Sequence, residues 1–177
     1  MKLMELSDAI LTILGRIENG AGRTTLQKLL YFASSKQILR MAFRPYYYGP
    51  YSDEVYLELQ SLVSLHFIEE RPETYASGHT GHAYRLTADG QRVLPPHSTD
   101  TDKLDSLVEL ARSHFGLDQR LLSSAAKTHF VLSSHNLPLT FEVIRAEARN
   151  LGWEISADDA DKVVDFLSDL GLVTRAS

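Results

Sequence analysis

Apolar residues recur at intervals of three and four along most of the chain, the spacing that places them on one face of an α-helix. In the first part of the sequence this spacing predicts three helices, over residues 6–17, 24–40 and 52–66. Two short β-rich segments, 67–71 and 83–87, then flank a polar loop and predict a β-hairpin with a long tip. Three helices followed by a hairpin is the element order of a winged helix.

The rest of the chain has helical spacing throughout and predicts four further helices. A polar stretch that opens with two prolines, residues 95–102, is typical of a linker. The predicted fold is therefore mainly α with a small β-hairpin: a winged-helix domain over residues 1–94, the linker, and a helical domain over residues 103–177. Residues 170–173 repeat the pattern of residues 65–68, so a reduced second winged helix is an alternative for the helical domain.

Composition removes several classes of protein and of chemistry. The 177 residues include no cysteine, which excludes disulfides, thiolate nucleophiles and cysteine-based zinc sites. No apolar run reaches the roughly 18 residues that a membrane span needs. The first residues mix acids with apolar side chains, unlike a secretory signal. We therefore expect a cytoplasmic protein without a membrane partner.

Candidate catalytic and metal-binding motifs are weak. His79 and His82 form the one close histidine pair, and no third ligand stands at a recognised spacing. The serine pairs lack the glycine elbow of a hydrolase. Residues 20–23, ahead of the second helix, could hold an anion, but they lack the P-loop lysine and fit a tight turn between helices better. The sequence thus predicts no enzyme activity, no catalytic residue, no metal and no cofactor.

Three segments of the first domain resemble known signatures. RTTLQKLLYFA (residues 23–33) and YYGPYSDEVY (residues 47–56) are similar to the paired motifs of the SocA-like, or Panacea, antitoxin domain. YRLTADG (residues 84–90) resembles the wing of a related group, the YwgA-like proteins of bacteria and archaea. The resemblance covers about residues 6–94. It implies this fold and an antitoxin role, since Panacea proteins neutralise the toxins beside which they are found. Tyr48 stands where that family often has a tryptophan.

A basic segment is the first candidate binding surface. No acidic residue occurs between Glu18 and Asp53. The candidates for nucleic-acid phosphate contacts, in this segment and near the wing, are Arg23, Lys28, Lys36, Arg40 and Arg85. The third helix, which would enter a DNA groove, carries Asp53, Glu54 and Glu58 and no basic residue, so it would repel phosphates. A solvated helix face, a nucleic-acid surface and a protein surface all remain open for this segment.

An aromatic cluster between the second and third helices is the second candidate surface. Aromatic side chains rimmed by arginine are typical of protein–protein hot spots. The candidates for partner contacts are therefore Tyr46, Tyr47, Tyr48, Tyr51 and Arg44. Alternatively, the rings fill the gap between the two helices. Gly49, Pro50 and Ser52 are predicted to be structural, because they set the turn into the third helix.

These patterns predict a non-enzymatic protein-binding module, antitoxin-like or a regulatory adaptor, whose specific partner is a protein such as a toxin or a component of a defence system. The alternative is a winged-helix DNA-binding transcriptional regulator. All of the net charge of −5 lies in the C-terminal half. A homo-oligomer is the third alternative, with the acidic last helix of one copy against the basic segment of another.

Overall fold

Helices make up most of this computed structural model, which describes residues 2–176. The fold is mixed α/β, with 54% of the residues in helices and two small antiparallel sheets. The α-helices within the described residues are α1 (Leu6–Gly15), α2 (Arg23–Ser35), α3 (Asp53–Ser64), α4 (Ala88–Arg92), α5 (Thr99–Phe115), α6 (Gln119–Ser133), α7 (Phe141–Asn150) and α8 (Ala160–Asp169). Of the helices in residues 2–176, none is long and apolar enough to cross a lipid bilayer.

Five short strands form the two sheets. In chain order they are β1 (Ala21–Gly22), β2 (Arg44–Tyr46), β3 (Gly49–Tyr51), β4 (Ile68–Thr74) and β5 (Thr80–Leu86), within the part of the chain that the structure describes. The larger sheet has the order β1-β5-β4, and β2 and β3 form a separate hairpin. The predicted β-hairpin is confirmed as β4–β5, although pairing extends to Thr74 and Thr80 and leaves a shorter tip than predicted. The winged-helix arrangement stays a prediction.

The second helix ends earlier than predicted. α2 stops at Ser35 rather than near Arg40, because Gln37 adopts a left-handed backbone with a φ of 60°. The Ile38 amide then donates to the carbonyl five residues earlier, as in a Schellman helix end. Arg40 therefore lies outside the helix, and the basic side chains of this segment do not share one helical face.

The fifth helix begins inside the stretch predicted as a linker. α5 starts at Thr99 because Ser98 and Thr101 form a capping box, in which each hydroxyl accepts a hydrogen bond from the backbone amide of the other residue. The connection between α4 and α5 covers residues 93–98, so it is shorter than the predicted linker, residues 95–102.

One hydrophobic core extends across this connection. Its buried side chains run from Ala9 to Leu170, and α5 and α6 pack against α1 and α2. The ring of Phe166 in α8 lies 5.2 Å from that of Phe32 in α2 and 4.6 Å from that of Phe115 in α5. A second, smaller core lies between α6 and α7. The segments before and after residues 93–98 therefore share buried apolar surface.

The sequence repeat between residues 65–68 and 170–173 reflects a shared type of helix end. His66 and Gly171 both adopt left-handed φ values, 62° and 74°, and the amide after each donates to a carbonyl five residues back. The first segment continues into β4, whereas residues 172–176 form no strand. The repeated pattern therefore specifies how each helix terminates and not a following strand.

The glycine of the YRLTADG segment is required by packing. A Cβ atom at Gly90 would overlap the backbone carbonyl oxygen of Phe67, so α4 lies directly on the chain that enters β4. We expect Gly90→Ala to lower the free energy of unfolding by about 1–3 kcal/mol through overpacking, as measured by urea denaturation.

Gly15→Ala is the matched control for this change. At the end of α1 the added Cβ would lie 3.4 Å from Leu94, an ordinary van der Waals distance, and alanine has the higher helix propensity. Gly15→Ala should therefore be neutral or stabilising. Equal losses in Gly90→Ala and Gly15→Ala would contradict the packing argument.

Candidate functional site

The four candidate tyrosines lie on the β2–β3 hairpin. Tyr47 and Tyr48 occupy its two-residue turn, because Tyr46 pairs with Gly49 across the ladder. Gly49 has a φ of 117°, which favours glycine. Tyr46, Tyr47 and Tyr48 are 41%, 75% and 58% exposed, while Tyr51 is partly buried. The alternative that the rings fill the gap between α2 and α3 is therefore wrong for these three exposed tyrosines, of which Tyr47 and Tyr48 lie in the turn and Tyr46 at the end of β2.

Stacked side chains make this hairpin aromatic and basic. The Tyr46 ring lies 4.6 Å from the rings of both Tyr47 and Tyr51. The Arg44 guanidinium lies 4.8 Å from the Tyr46 ring and 5.4 Å from the Tyr51 ring. Arg44 also donates to both carboxylate oxygens of Asp53, at 3.0 and 3.1 Å, and these bonds lower the pKa of the Asp53 carboxyl. The rings and the guanidinium thus restrain one another at the surface.

Side chains from two distant parts of the chain bind the hairpin backbone. The Lys28 amine of α2 donates to the Pro50 carbonyl at 2.8 Å, and the Trp153 indole N–H donates to the Tyr46 carbonyl at 2.5 Å. Trp153 is buried in the smaller core. Sequence reasoning missed this residue, although it is the one tryptophan of the chain. The C-terminal half therefore helps to fix the tyrosine hairpin in place.

Ser52 joins this hairpin to α3 through its backbone. It is the N-cap residue of α3, as predicted, but its hydroxyl makes no cap hydrogen bond and is buried without a partner among the described residues. The Gln27 side-chain amide instead donates to the Ser52 carbonyl and accepts from the Ser52 N–H, both at 2.9 Å. This reciprocal pair fixes the end of the hairpin to α2.

A cleft of about 720 Å³ opens beside the hairpin, and we call it the tyrosine cleft. It is surrounded by α2, the β2–β3 hairpin, the tip of the β4–β5 hairpin and the start of α6. Two predicted phosphate ligands, Arg23 and Lys28, line it together with three predicted partner contacts, Tyr46, Tyr48 and Tyr51. The two candidate surfaces of the sequence therefore converge on one concavity.

Lys28 is a buried lysine in the lining of the tyrosine cleft, and its pKa is lowered. It is 2% exposed, and burial, followed by the neighbouring positive charge of Lys127, lowers its pKa to about 7. Among residues 2–176 no carboxylate forms an ion pair with Lys28. A buried lysine near half protonation at neutral pH contributes a proton-dependent charge to the cleft.

Arg23, the first residue of α2, is held by its neighbours on the wing. Its guanidinium donates to the Glu70 carboxylate at 3.0 Å and to the Tyr84 hydroxyl at 2.7 Å. The same hydroxyl donates to Glu70 at 2.9 Å. This network closes one end of the tyrosine cleft and leaves the Arg23 charge balanced.

The other three predicted phosphate ligands lie apart from one another. The Lys36 amine donates to the Leu170 carbonyl at 2.6 Å, where the negative end of the α8 dipole favours a cation. Arg85 forms an ion pair with Glu69 on the paired strand. Arg40 is exposed. Together with the buried Lys28, this placement leaves no continuous basic surface among the five.

The two histidines of the hairpin tip belong to the wall of the tyrosine cleft. His79 and His82 both line it, and His82 Nδ1 lies 3.1 Å from the Glu70 carboxylate. In the part of the chain that the structure describes, no three histidine, aspartate or glutamate side chains are grouped so as to hold a metal ion. Their placement beside Tyr75 makes the wing tip a flank of the cleft.

The fold and site together define a mixed α/β protein with an exposed aromatic hairpin beside a cleft that contains a buried lysine. The chain is 29% identical over 104 residues to the uncharacterized protein YwgA of Bacillus subtilis (strain 168). The match includes 58% of this chain and 62% of the relative, so the chain spans less than two-thirds of that protein's length. No family model matches the chain. The match supports the resemblance to YwgA-like proteins, and the Panacea resemblance stays a prediction.

Proposed function

We propose that this chain is a non-enzymatic protein-binding module, an antitoxin-like protein or regulatory adaptor of the cytoplasm, that binds a specific protein through the β2–β3 hairpin. The observation that carries the proposal is the exposed group in which Tyr47 and Arg44 pack on Tyr46, with the exposed Tyr48 next to them in the turn. A toxin or a component of a defence system is the partner that the Panacea resemblance implies. In this proposal residues 1–94 are a winged helix that serves as a protein-binding scaffold.

Preorganisation of the hairpin supports this proposal. Tyrosine and arginine are enriched in hot spots because they offer a large contact area with few rotatable bonds. The hairpin backbone is bound by Gln27, Lys28 and Trp153, so little conformational entropy is left to lose on association. Exposed aromatic side chains on a fixed backbone are suited to a partner with a complementary apolar pocket.

Two features favour a protein partner over the DNA alternative. The helix that would enter a DNA groove, α3, exposes Asp53 and Glu54 in its first turn and carries no basic residue. Of the predicted phosphate ligands, Lys28 is buried and Arg23 is balanced by Glu70. DNA affinity is built from exposed lysine and arginine side chains, and the five predicted phosphate ligands do not form one such surface.

The test compares partner capture by variants of the hairpin. Tagged wild type, Tyr47→Ala and Tyr48→Ala are used to capture proteins from host lysate after nuclease treatment at high salt. We expect one stoichiometric partner with the wild type and a loss of at least about tenfold with each variant, because these rings make contact area without supporting the fold. Binding of the purified partner by calorimetry then gives the affinities.

Tyr56→Ala is the matched control, because Tyr56 is an exposed tyrosine on α3 outside the hairpin. It should leave capture unchanged, as should Arg40→Ala. Nucleic acid that co-purifies at low salt, is lost at high salt and depends on Arg40 would instead favour the transcriptional regulator. A dimer in light scattering, with no other protein captured, would favour the homo-oligomer.

A further inference from the structure

We propose that the tyrosine cleft binds a small aromatic carboxylate or phosphate, with the oxyanion against the Lys28 amine and the ring against the tyrosines of the cleft. This inference does not rest on the proposed partner surface, since it concerns a ligand of the isolated chain. It starts from Lys28, a buried lysine in the lining of the cleft, which lies with Lys127 beside Gly49.

The two lysines meet around Gly49. A Cβ atom at Gly49 would lie 3.4 Å from Lys28 Cε and 3.3 Å from Lys127 Cγ, so the glycine leaves room for both side chains. Each amine has one acceptor, the Pro50 carbonyl for Lys28 and the Glu154 carbonyl for Lys127. Burial lowers the pKa of both amines. The cleft lining thus includes the partly desolvated Lys28 amine, and Lys127 is near enough to help lower the pKa of that amine.

An oxyanion is the group that these amines lack. A protonated lysine has three N–H donors, and Lys28 uses one of them. Within residues 2–176 neither Lys28 nor Lys127 forms an ion pair. A buried charge without a counter-ion is costly, and a bound carboxylate or phosphate would supply both the charge and the acceptors.

The other charged groups that face Lys28 do not supply this counter-charge. Those that line the cleft are Arg23 on the same helix, Tyr51 on β3, His79 and His82 on the β4–β5 hairpin, Asp118 just before α6 and Arg120 in α6. Lys127 acts on Lys28 from α6, and Glu154 acts in turn on Lys127. Arg23 and Arg120 are paired with Glu70 and Asp159. Asp118 accepts the Leu121 N–H at the start of α6. The Asp118 carboxylate also acts on Arg120, whose pKa it helps to raise, and within residues 2–176 it forms no ion pair with Lys28.

The size and lining of the cleft indicate that the ligand carries a planar apolar group in addition to the oxyanion. About 720 Å³ falls within the range of small-molecule sites, which are mostly apolar with a few polar anchors. Four tyrosines, Tyr46, Tyr48, Tyr51 and Tyr75, line the cleft together with Lys28. Their rings suit a planar apolar group, so a ring that carries one oxyanion matches the cleft better than a bare inorganic ion does.

Calorimetry with simple probes tests this inference. Benzoate and phenyl phosphate carry a ring and an oxyanion, inorganic phosphate carries only the anion, and benzyl alcohol carries only the ring. We expect benzoate or phenyl phosphate to bind the full-length chain at least about tenfold more tightly than inorganic phosphate or benzyl alcohol. The stronger of the two distinguishes a carboxylate site from a phosphate site. Equal, very weak heats for all four probes would overturn the proposal.

The pH dependence links binding to Lys28. Benzoate keeps its charge between pH 6 and 8, while Lys28 loses its proton, so affinity should fall about tenfold over this range and binding at pH 8 should take up a proton. The same fall should persist in His79→Gln/His82→Gln, which removes the histidines of the cleft. Affinity that is independent of pH, or that follows the histidines, would contradict the role of Lys28.

Lysine variants complete the test. Lys28→Met should abolish benzoate binding, whereas Lys162→Met, at an exposed lysine on α8, should leave it unchanged. Lys127→Met removes the like charge and should extend binding to higher pH. Tyr47→Ala should have no effect, because Tyr47 lies outside the lining, and this separates the cleft from the partner surface. Should Lys28→Met unfold, nitrogen-15 chemical shifts of lysine amines in the wild type decide instead, and an unperturbed Lys28 amine at saturating benzoate would refute the site.

Discussion

Phe166→Ala is expected to lower the free energy of unfolding by about 3–5 kcal/mol, the usual cost of truncating a fully buried aromatic side chain. The ring packs on Phe32 from one side and on Phe115 from the other, so its removal opens a cavity between α2, α5 and α8. Since Phe32 precedes the predicted linker and Phe166 follows it, the loss should destabilise the whole chain. Guanidinium unfolding followed by helical circular dichroism and by the fluorescence of Trp153 should show coincident transitions, both shifted.

Leu137→Ala is the control for Phe166→Ala, because Leu137 is 74% exposed and its truncation should cost within about 0.5 kcal/mol. Two separate transitions, with only one of them shifted by Phe166→Ala, would mean that residues 1–94 and 103–177 unfold as independent domains. A single shifted transition would mean that the shared core makes them one cooperative unit.

Periodicity located most helices because their stability comes from an amphipathic face that is visible in one dimension. The α1 stripe and the core residues of α8 follow this rule. Periodicity failed to predict where a helix ends at a left-handed residue and where a strand forms by pairing with a distant segment. Gln37 ends α2 through a left-handed backbone conformation that could not be predicted from a glutamine side chain. The strand β1, which was not predicted, forms by pairing with β5, about 60 residues further along the chain.

The sequence predicted which residues make up the tyrosine surface, but it could not predict how their side chains are exposed. The sequence indicates that four tyrosines and an arginine are close together, whereas their exposure depends on the two-residue turn between β2 and β3. The basic segment was misjudged in part, because a lysine with helical spacing was expected at the surface and Lys28 is buried. Its position follows from contacts with Pro50 and Lys127, which lie 22 and 99 residues further along the chain. No local pattern encodes such contacts.

Acidification is expected to destabilise the protein through His129. The His129 Nδ1 lies 2.7 Å from the Tyr31 hydroxyl, and burial lowers the pKa of the imidazole from 6.5 to about 4. Between these two values the unfolded chain binds more protons than the native chain, so the free energy of unfolding falls as the pH falls. The loss should be nearly absent above about pH 7.5, and it should reach roughly 2–3 kcal/mol at pH 4.5.

His129→Phe isolates this contribution, because phenylalanine fills the site without a titrating nitrogen. Urea denaturation at pH 7 and at pH 4.5 should show a difference between the two pH values that is smaller in His129→Phe than in the wild type by about 2–3 kcal/mol. His97→Gln, at an exposed histidine ahead of α5, should keep the wild-type difference. If His129→Phe and the wild type lose the same stability on acidification, the imidazole is not held neutral by the native fold, and the pairing of α2 with α6 at Tyr31 is not the acid-sensitive contact.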